Sequence, residues 1–253
     1  MNRPRSNARF LLALLDATRL NESDSKECIT AFCRKAVAPE CQPAAICIFP
    51  QWLAAARCVL DNHGLSGKVR LATVANFPLG NADIDAAVAE VDAALAAGAD
   101  EVDLVFPWRA LMEGDQAAGQ ALLAACRKHC AGHVLKVILE TGELKQPALI
   151  RNAAELAIAG GADFIKTSTG KARAHASPQA VQVILETIRD SGQNVGCKVS
   201  GGIRGMDQAM TYLDLASRIM GREWLTPLHF RIGASGLHDE LIAVLTSNDR
   251  APS

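Results

Sequence analysis

The 253-residue sequence is poor in aromatic residues, at 4%, with one tyrosine, Tyr212, and three tryptophans, Trp52, Trp108 and Trp224, far apart along the chain. Isolated rings make no stacking platform for nucleotide bases. Charge of one sign is also lacking, because 26 Lys+Arg against 27 Asp+Glu leave a formal net charge of -1. Nothing in that balance favours nucleic acid or a membrane as partner. Long apolar runs are missing: the stretch Phe10 to Leu15 is six residues and stops at Asp16, too short for an export signal or a membrane span. No C-x-x-C pair occurs among the eight cysteines (Cys28, Cys33, Cys41, Cys47, Cys58, Cys126, Cys130 and Cys197), which read as reduced thiols of a cytoplasmic protein. The six histidines (His63, His129, His133, His175, His229 and His238) are scattered, and no zinc-ligand spacing is met. Cys126, His129, Cys130 and His133 fall at helix-like intervals, but the last two lie around the predicted helix end near Gly132 and read as packing. No metal and no cofactor is expected.

What the sequence does have is a repeat. A short β-branched or apolar run is followed by a turn and then by an Ala/Leu-rich stretch of helical period, at intervals of roughly thirty residues. Predicted strands are Leu15 to Thr18, Ala45 to Phe49, Arg70 to Val74, Glu101 to Val105, Leu135 to Glu140, Asp163 to Thr167, Gly196 to Val199 and Phe230 to Gly233. Predicted helices are Pro50 to Asn62, Ala82 to Ala97, Gln116 to Cys130, Gln146 to Ala159, Pro178 to Asp190 and Met206 to Met220, with Gly98 and Gly160-Gly161 as stops. Strand alternating with helix implies a parallel sheet covered by helices. Eight strands, with no GxGxxG after an early one, favour a closed (β/α)₈ TIM barrel over an open doubly wound sheet. No linker or composition shift divides the chain, so a single domain spanning 1–253 is expected.

Strands buried on both faces should be nearly all apolar, yet several carry a charge in mid-run. Lys136 interrupts VLKVILE, Lys166 interrupts DFIKTS, Lys198 interrupts GCKVSGG, and Asp103 interrupts EVDLVF. A lone strand lysine is most simply a structural ion pair; three together suggest a site. Burial and a neighbouring cation both depress an ammonium's pKa, and a neutral amine is the nucleophile that attacks carbonyls. A carboxylate in reach supplies proton transfer. Alternation puts Lys198 on the face of Gly196, and Lys166 on the face of Phe164. Cys47, late in the second strand, reads either as a core thiol or as one approaching the pocket.

A second constellation is rich in glycine and hydroxyl groups. Ser200-Gly201-Gly202 follows the seventh strand and Gly233-Ala234-Ser235-Gly236 the eighth. Loops after these two strands are the recurrent phosphate site of the barrel, where unhindered backbone N–H groups cradle the anion. Lys171, closing TSTGK, adds a cation.

EVDLVFP, LKVILETGEL, FIKTSTGKA, KVSGGIR, RIGAS and LLDATRL together resemble the deoxyribose-phosphate aldolase family over nearly the whole chain. The resemblance implies a metal-free class I aldolase that reversibly cleaves 2-deoxy-D-ribose 5-phosphate to glyceraldehyde 3-phosphate and acetaldehyde. It implies that Lys166 forms the Schiff base, that Lys198 lowers its pKa and shares proton transfer, and that Asp103 is the acid/base partner. It implies that Asp16 and Thr18 position substrate or water. It implies too that Gly201, Gly202, Gly233, Ala234 and Ser235 cradle phosphate, with Thr167 and Lys171 at the edge. Two departures stand out: the chain ends SNDRAPS without the terminal tyrosine of some members, and Val199-Ser200 replaces the more usual residues after the second lysine. A Schiff-base lyase of another phosphorylated aldol and a catalytically silent sugar-phosphate-binding barrel are the alternatives, and a homodimer is expected by analogy.

Overall fold

A computed structural model describes residues 3–37 and 42–247. Cys41 and the end of the C-terminal segment, 248–253, lie outside the described residues. The strands are β1 (Leu15–Arg19), β2 (Ala45–Ile48), β3 (Arg70–Ala75), β4 (Glu101–Val105), β5 (Val134–Ile138), β6 (Phe164–Lys166), β7 (Gly196–Ser200) and β8 (Phe230–Ala234). They pair in sequence order, all parallel, and β1 meets β8 through Leu15↔Ile232 and Asp16↔Gly233, so the sheet closes into the expected barrel.

The helices are α1 (Arg3–Ala13), α2 (Lys26–Ala36), α3 (Leu53–Asn62), α4 (Ile84–Ala96), α5 (Trp108–Met112), α6 (Gln116–His129), α7 (Thr141–Leu144), α8 (Pro147–Ala159), α9 (Pro178–Ser191), α10 (Met206–Met220) and α11 (Leu237–Thr246). Four begin with the same device. The side chains of Ser25, Asp83, Asp115 and Ser177 accept a hydrogen bond from a backbone N–H in the first turn, satisfying a donor the helix cannot. The predicted helix from Pro50 is a 3-10 turn, Pro50–Trp52, leading into α3. Of the glycine stops, Gly98 (φ 95°) and Gly161 (φ 81°) are left-handed as expected. Gly160 serves packing instead: a Cβ there would lie 2.8 Å from the Cβ of Leu123, so α8 could not approach α6 as closely.

Residues facing the helices form the large apolar core, from Leu12 through Val102, Leu104, Cys197 and Ile232 to Leu241. The barrel interior is divided. On the β2–β3 side Ala45, Cys47 and Ala72 make a small apolar cluster. On the remaining strands the inward positions carry Asp16, Glu101, Asp103, Lys136, Lys166, Lys198 and Arg231, all at most 4% exposed. The sixth strand ends at Lys166, before Thr167, and the fifth at Ile138, before Glu140 adopts a left-handed conformation (φ 56°) and starts α7. Both tips therefore turn into loops sooner than strand patterning suggests.

Candidate active site

Register explains how scattered residues meet. Asp103 pairs with Lys136, Lys166 with Lys198, and Lys198 with Arg231 across neighbouring strands, so their side chains enter the interior in adjacent layers. Asp103 is the hub. Its Oδ1 accepts from Lys136 Nζ at 2.8 Å, and its Oδ2 accepts from both Lys166 Nζ at 2.6 Å and Lys198 Nζ at 2.7 Å. Lys198 also lies 2.5 Å from Asp16 Oδ2. Lys136 reaches Glu101 at 2.6 Å, and Arg231 spans Asp16 at 2.7 Å and Glu101 at 3.0 Å.

These contacts push the proton affinities apart. Burial raises the carboxyl affinity of Asp103, but three lysines outweigh it and hold the group well below 3.8. Asp16 behaves likewise against Lys198 and Arg231, and falls below the usual carboxylate range. Burial disfavours the ammonium of Lys198, yet Asp103 and Asp16 more than offset this and keep it above 10.5. Lys166 goes the other way: burial pulls it below 10.5, and the charge of Lys198 adds to the pull against the single partner Asp103. Lys166 is thus a weaker base than an ordinary lysine beside an amine that stays charged, the arrangement that raises its free-amine fraction.

Lys166 is also the cluster amine that lines a cleft of ≈ 210 Å³ at the C-terminal ends of the strands. Thr18, Lys171, Gly201, Gly202, Gly233, Ala234 and Ser235 share its walls, together with Leu20, Thr169, Gly170, Ser200 and Ile203. Gly201 (φ 89°) and Gly202 (φ 74°) both take left-handed backbone, which the turn after β7 requires of them. Gly233 is different, because it is strand rather than loop, and a Cβ on it would stand 3.0 Å from Lys198 Cε and 3.1 Å from Ser200 Cβ. Its smallness makes room for Lys198.

Asp16 and Thr167 do not face the cleft. Asp16 is buried beneath it against Lys198 and Arg231, and Thr167 clamps two strand tips, donating its hydroxyl to Ser200 O and accepting from Ser200 N–H at 2.9 Å. Lys171 lies on the rim, where its amine donates to Leu20 O at 2.6 Å and ties the loop after β6 to the end of β1. Glu140 fixes that same loop: its carboxylate accepts from the N–H and hydroxyl of Thr169, whose Oγ1 in turn accepts from Lys171 N–H. The signal for Glu140 lay in its place two residues past an apolar strand; Glu101 and Arg231, at strand starts, gave less. Cys47 is fully buried in the interior, where burial raises its thiol pKa. His129 turns to Asp92 at 2.9 Å, and Cys126 and Cys130 are buried in the core. Among the described residues no three His, Cys, Asp or Glu side chains converge as a metal cage.

The sequence model of the DeoC/LacD family aldolases matches residues 10–225. Among solved structures, a ligand-free protein from Toxoplasma gondii ME49, provisionally classed as a deoxyribose-phosphate aldolase, gives a TM-score of 0.90 at 26% identity, over 99% of this chain and 100% of that one. An aldolase designated QR15 gives 0.76 at 27% identity, over 92% of this chain and 96% of its own. The tetrameric deoxyribose phosphate aldolase from Aeropyrum pernix gives 0.73 over 97% of this chain and 94% of its own; at 23% identity that likeness is one of fold.

Proposed function

We propose, from the premise that this chain belongs to the DeoC/LacD family of aldolases, that it cleaves 2-deoxy-D-ribose 5-phosphate reversibly to D-glyceraldehyde 3-phosphate and acetaldehyde through a Schiff base on Lys166. One observation carries the reading. Lys166 is at once the cleft-lining amine of the cluster and the one bonded to a single carboxylate oxygen, Asp103 Oδ2 at 2.6 Å.

In this reading the open-chain sugar lies along the cleft, its aldehyde at Lys166 and its phosphate toward Gly201, Gly202 and Ser235. Neutral Nζ attacks C1, and the carbinolamine loses water to give an iminium. Removal of the C3 hydroxyl proton then breaks C2–C3 and releases glyceraldehyde 3-phosphate, the bonding electrons passing into the enamine. Protonation at C2 and hydrolysis return acetaldehyde and free lysine. Asp103, within hydrogen-bond distance of both Lys166 and Lys198, is placed to move the protons these steps require. Lys198 holds its own proton firmly and keeps Lys166 short of one. The chemistry asks for no metal or organic cofactor, and the proposal extends to a cytoplasmic homodimer acting on small sugar phosphates and aldehydes. No described helix is long and apolar enough to cross a membrane.

The test is borohydride reduction in the presence of 2-deoxyribose 5-phosphate, followed by mass spectrometry of the intact protein and its peptides. The expected result is a two-carbon adduct on Lys166, absent without sugar and absent in Lys166→Leu. An adduct mapped to another lysine would move the nucleophile. No adduct in folded protein that binds the sugar phosphate would turn the barrel into a silent binder.

A further inference from the structure

We infer that Glu101 and Arg231, which do not line the cleft, are positioning residues that set the charge balance of the barrel interior and so tune how readily Lys166 gives up its proton, Arg231 favouring the free amine and Glu101 opposing it. The inference rests on the Schiff-base reading of Lys166 and adds the charge balance beneath it.

Among the described residues the ion-paired interior holds four basic side chains, Lys136, Lys166, Lys198 and Arg231, against three acidic ones, Asp16, Glu101 and Asp103; outside that cluster the buried Glu140, hydrogen-bonded to Thr169, and the buried Cys47 thiol act on Lys166 through space. Three of the basic groups each touch two acids or more, Lys136 having Asp16 at 3.7 Å as a third. Lys136 meets Glu101 and Asp103, Lys198 meets Asp16 and Asp103, and Arg231 meets Asp16 and Glu101. Lys166 touches one. With three acids balanced by three cations, the ion-paired cluster is neutral when Lys166 is a free amine and carries one extra positive charge, faced from outside the cluster by Glu140, when Lys166 is protonated. Uncompensated charge in a water-poor interior is the costly state, so the cluster expels the proton from its least-held member.

Glu101 and Arg231 are built to keep that count fixed. Arg231 is locked from several sides: its Nε donates to Pro227 O, its guanidinium lies over the Phe164 ring at 5.5 Å from the centroid, and both terminal nitrogens are engaged. The Phe164 ring is itself wedged where only glycine fits, since a Cβ on Gly196 would stand 2.4 Å from it. Glu101 is held between Lys136 and Arg231. A guanidinium that holds its proton far above neutral pH serves here as a constant of the site.

The prediction is a pair of shifts of opposite sign from residues that do not line the cleft. Glu101→Gln removes a negative charge and lowers the apparent pKa of Lys166 by about one unit; Arg231→Gln removes a positive charge and raises it by about one unit. The double variant removes one of each and returns Lys166 toward its original value, while Glu101→Asp and Arg231→Lys, which keep the charge, leave it near that value. The neutral fraction of Lys166 is read by competitive labelling with trace acetic anhydride from about pH 5 to about pH 10, quantified by peptide mass spectrometry. No substrate is involved, so the result stands even if the proposed reaction is wrong. The acid limb of kcat/KM for 2-deoxyribose 5-phosphate is measured alongside. Opposite shifts with compensation in the double variant support the inference. Shifts of the same sign, no shift, or equal loss in the charge-keeping variants would overturn it and leave Glu101 and Arg231 as structural supports. If Arg231→Gln does not fold, Glu101→Gln against Glu101→Asp decides.

Discussion

Replacing Lys198 with methionine removes one ammonium from the interior while keeping most of the side chain's bulk. Lys166 and Lys198 donate to the same oxygen, Asp103 Oδ2, at 2.6 and 2.7 Å, which places the two nitrogens on the order of 4–5 Å apart. At an effective dielectric of about 20, unit charges at that separation repel by about 3–4 kcal/mol, or between about two and three pKa units. Relaxation of the cavity reduces this, and a rise in the Lys166 pKa of about one to two units is expected. The sign follows from the loss of a positive neighbour: protonated Lys166 becomes cheaper, so less free amine is present at any pH below the new pKa. Imine formation at a pH on the rising limb should slow by about 10- to 100-fold, and the limb itself should move up in pH.

The assay is the pH profile of kcat/KM together with the rate of borohydride-trapped imine on Lys166, each read beside a melting curve to show that the variant is folded. At alkaline pH the variant should recover much of the original rate, because Lys166 is then deprotonated in both proteins. An unmoved limb in folded Lys198→Met would refute the electrostatic reasoning. A uniform fall at every pH, without recovery, would instead assign Lys198 to obligatory proton transfer. The Michaelis constant is a further check. Lys198 is fully buried below the cleft, so the affinity for the sugar phosphate should change little.

Asp103→Asn removes the hub carboxylate from three lysines and should lower kcat/KM by about 10²- to 10⁴-fold; it should also depress the melting temperature, because a buried ion-pair partner is lost. Gly202→Ala forces a Cβ onto left-handed backbone (φ 74°) at 3.1 Å from His175 Cδ2. It should raise KM for 2-deoxyribose 5-phosphate while leaving activity on unphosphorylated 2-deoxyribose unchanged, and parallel losses on both would take the turn out of phosphate binding. The pH dependence of stability follows from the shifted groups. Asp16 and Asp103 are depressed below 3.8, so their stabilisation is complete above that value and is lost as acid approaches their folded values. Lys136 and Lys198 are raised above 10.5, so theirs is complete below that value and is lost in stronger alkali. Lys166, depressed, has the opposite sense and lets stability rise with pH between its folded value and 10.5. Thermal melts should therefore show a plateau from about pH 4 to about pH 10, tilted upward toward the alkaline side; a maximum confined to acid would contradict the assignment.

Which residues announced themselves in the sequence depended on where they interrupt a pattern. Lys136, Lys166, Lys198 and Asp103 stand inside apolar runs that a strand buried on both faces would otherwise continue, so each reads as an exception. Glu101 is the first residue of β4 and Arg231 the second of β8, near strand ends where a charge ordinarily faces water, and closure of the ring is what turns them inward: β8 pairs with β7 through Lys198↔Arg231, and Glu101 lies two residues before Asp103 on one face of β4. The alternation that placed Lys198 inward could have been applied to them. The predicted helices leave out α1, α2, α11 and the short α5 and α7, and at α1 and α11 the reason is local. α11 has Gly236 at its start, with no side-chain cap, and the apolar end of α1 runs into β1 with a single residue, Leu14, between them. The loops are less legible still, because a glycine serves equally well to bend a chain, to admit an anion or to leave space. Gly201 and Gly202 do bend the chain, whereas Gly233, drawn from the same kind of motif, clears a path for Lys198. On the proposed mechanism the eighth strand would therefore contribute to nucleophile activation through the room it leaves as well as through Arg231. A substitution at Gly233 should accordingly disturb the pH profile of Lys166 before it disturbs phosphate affinity, the reverse of what is expected at Gly202.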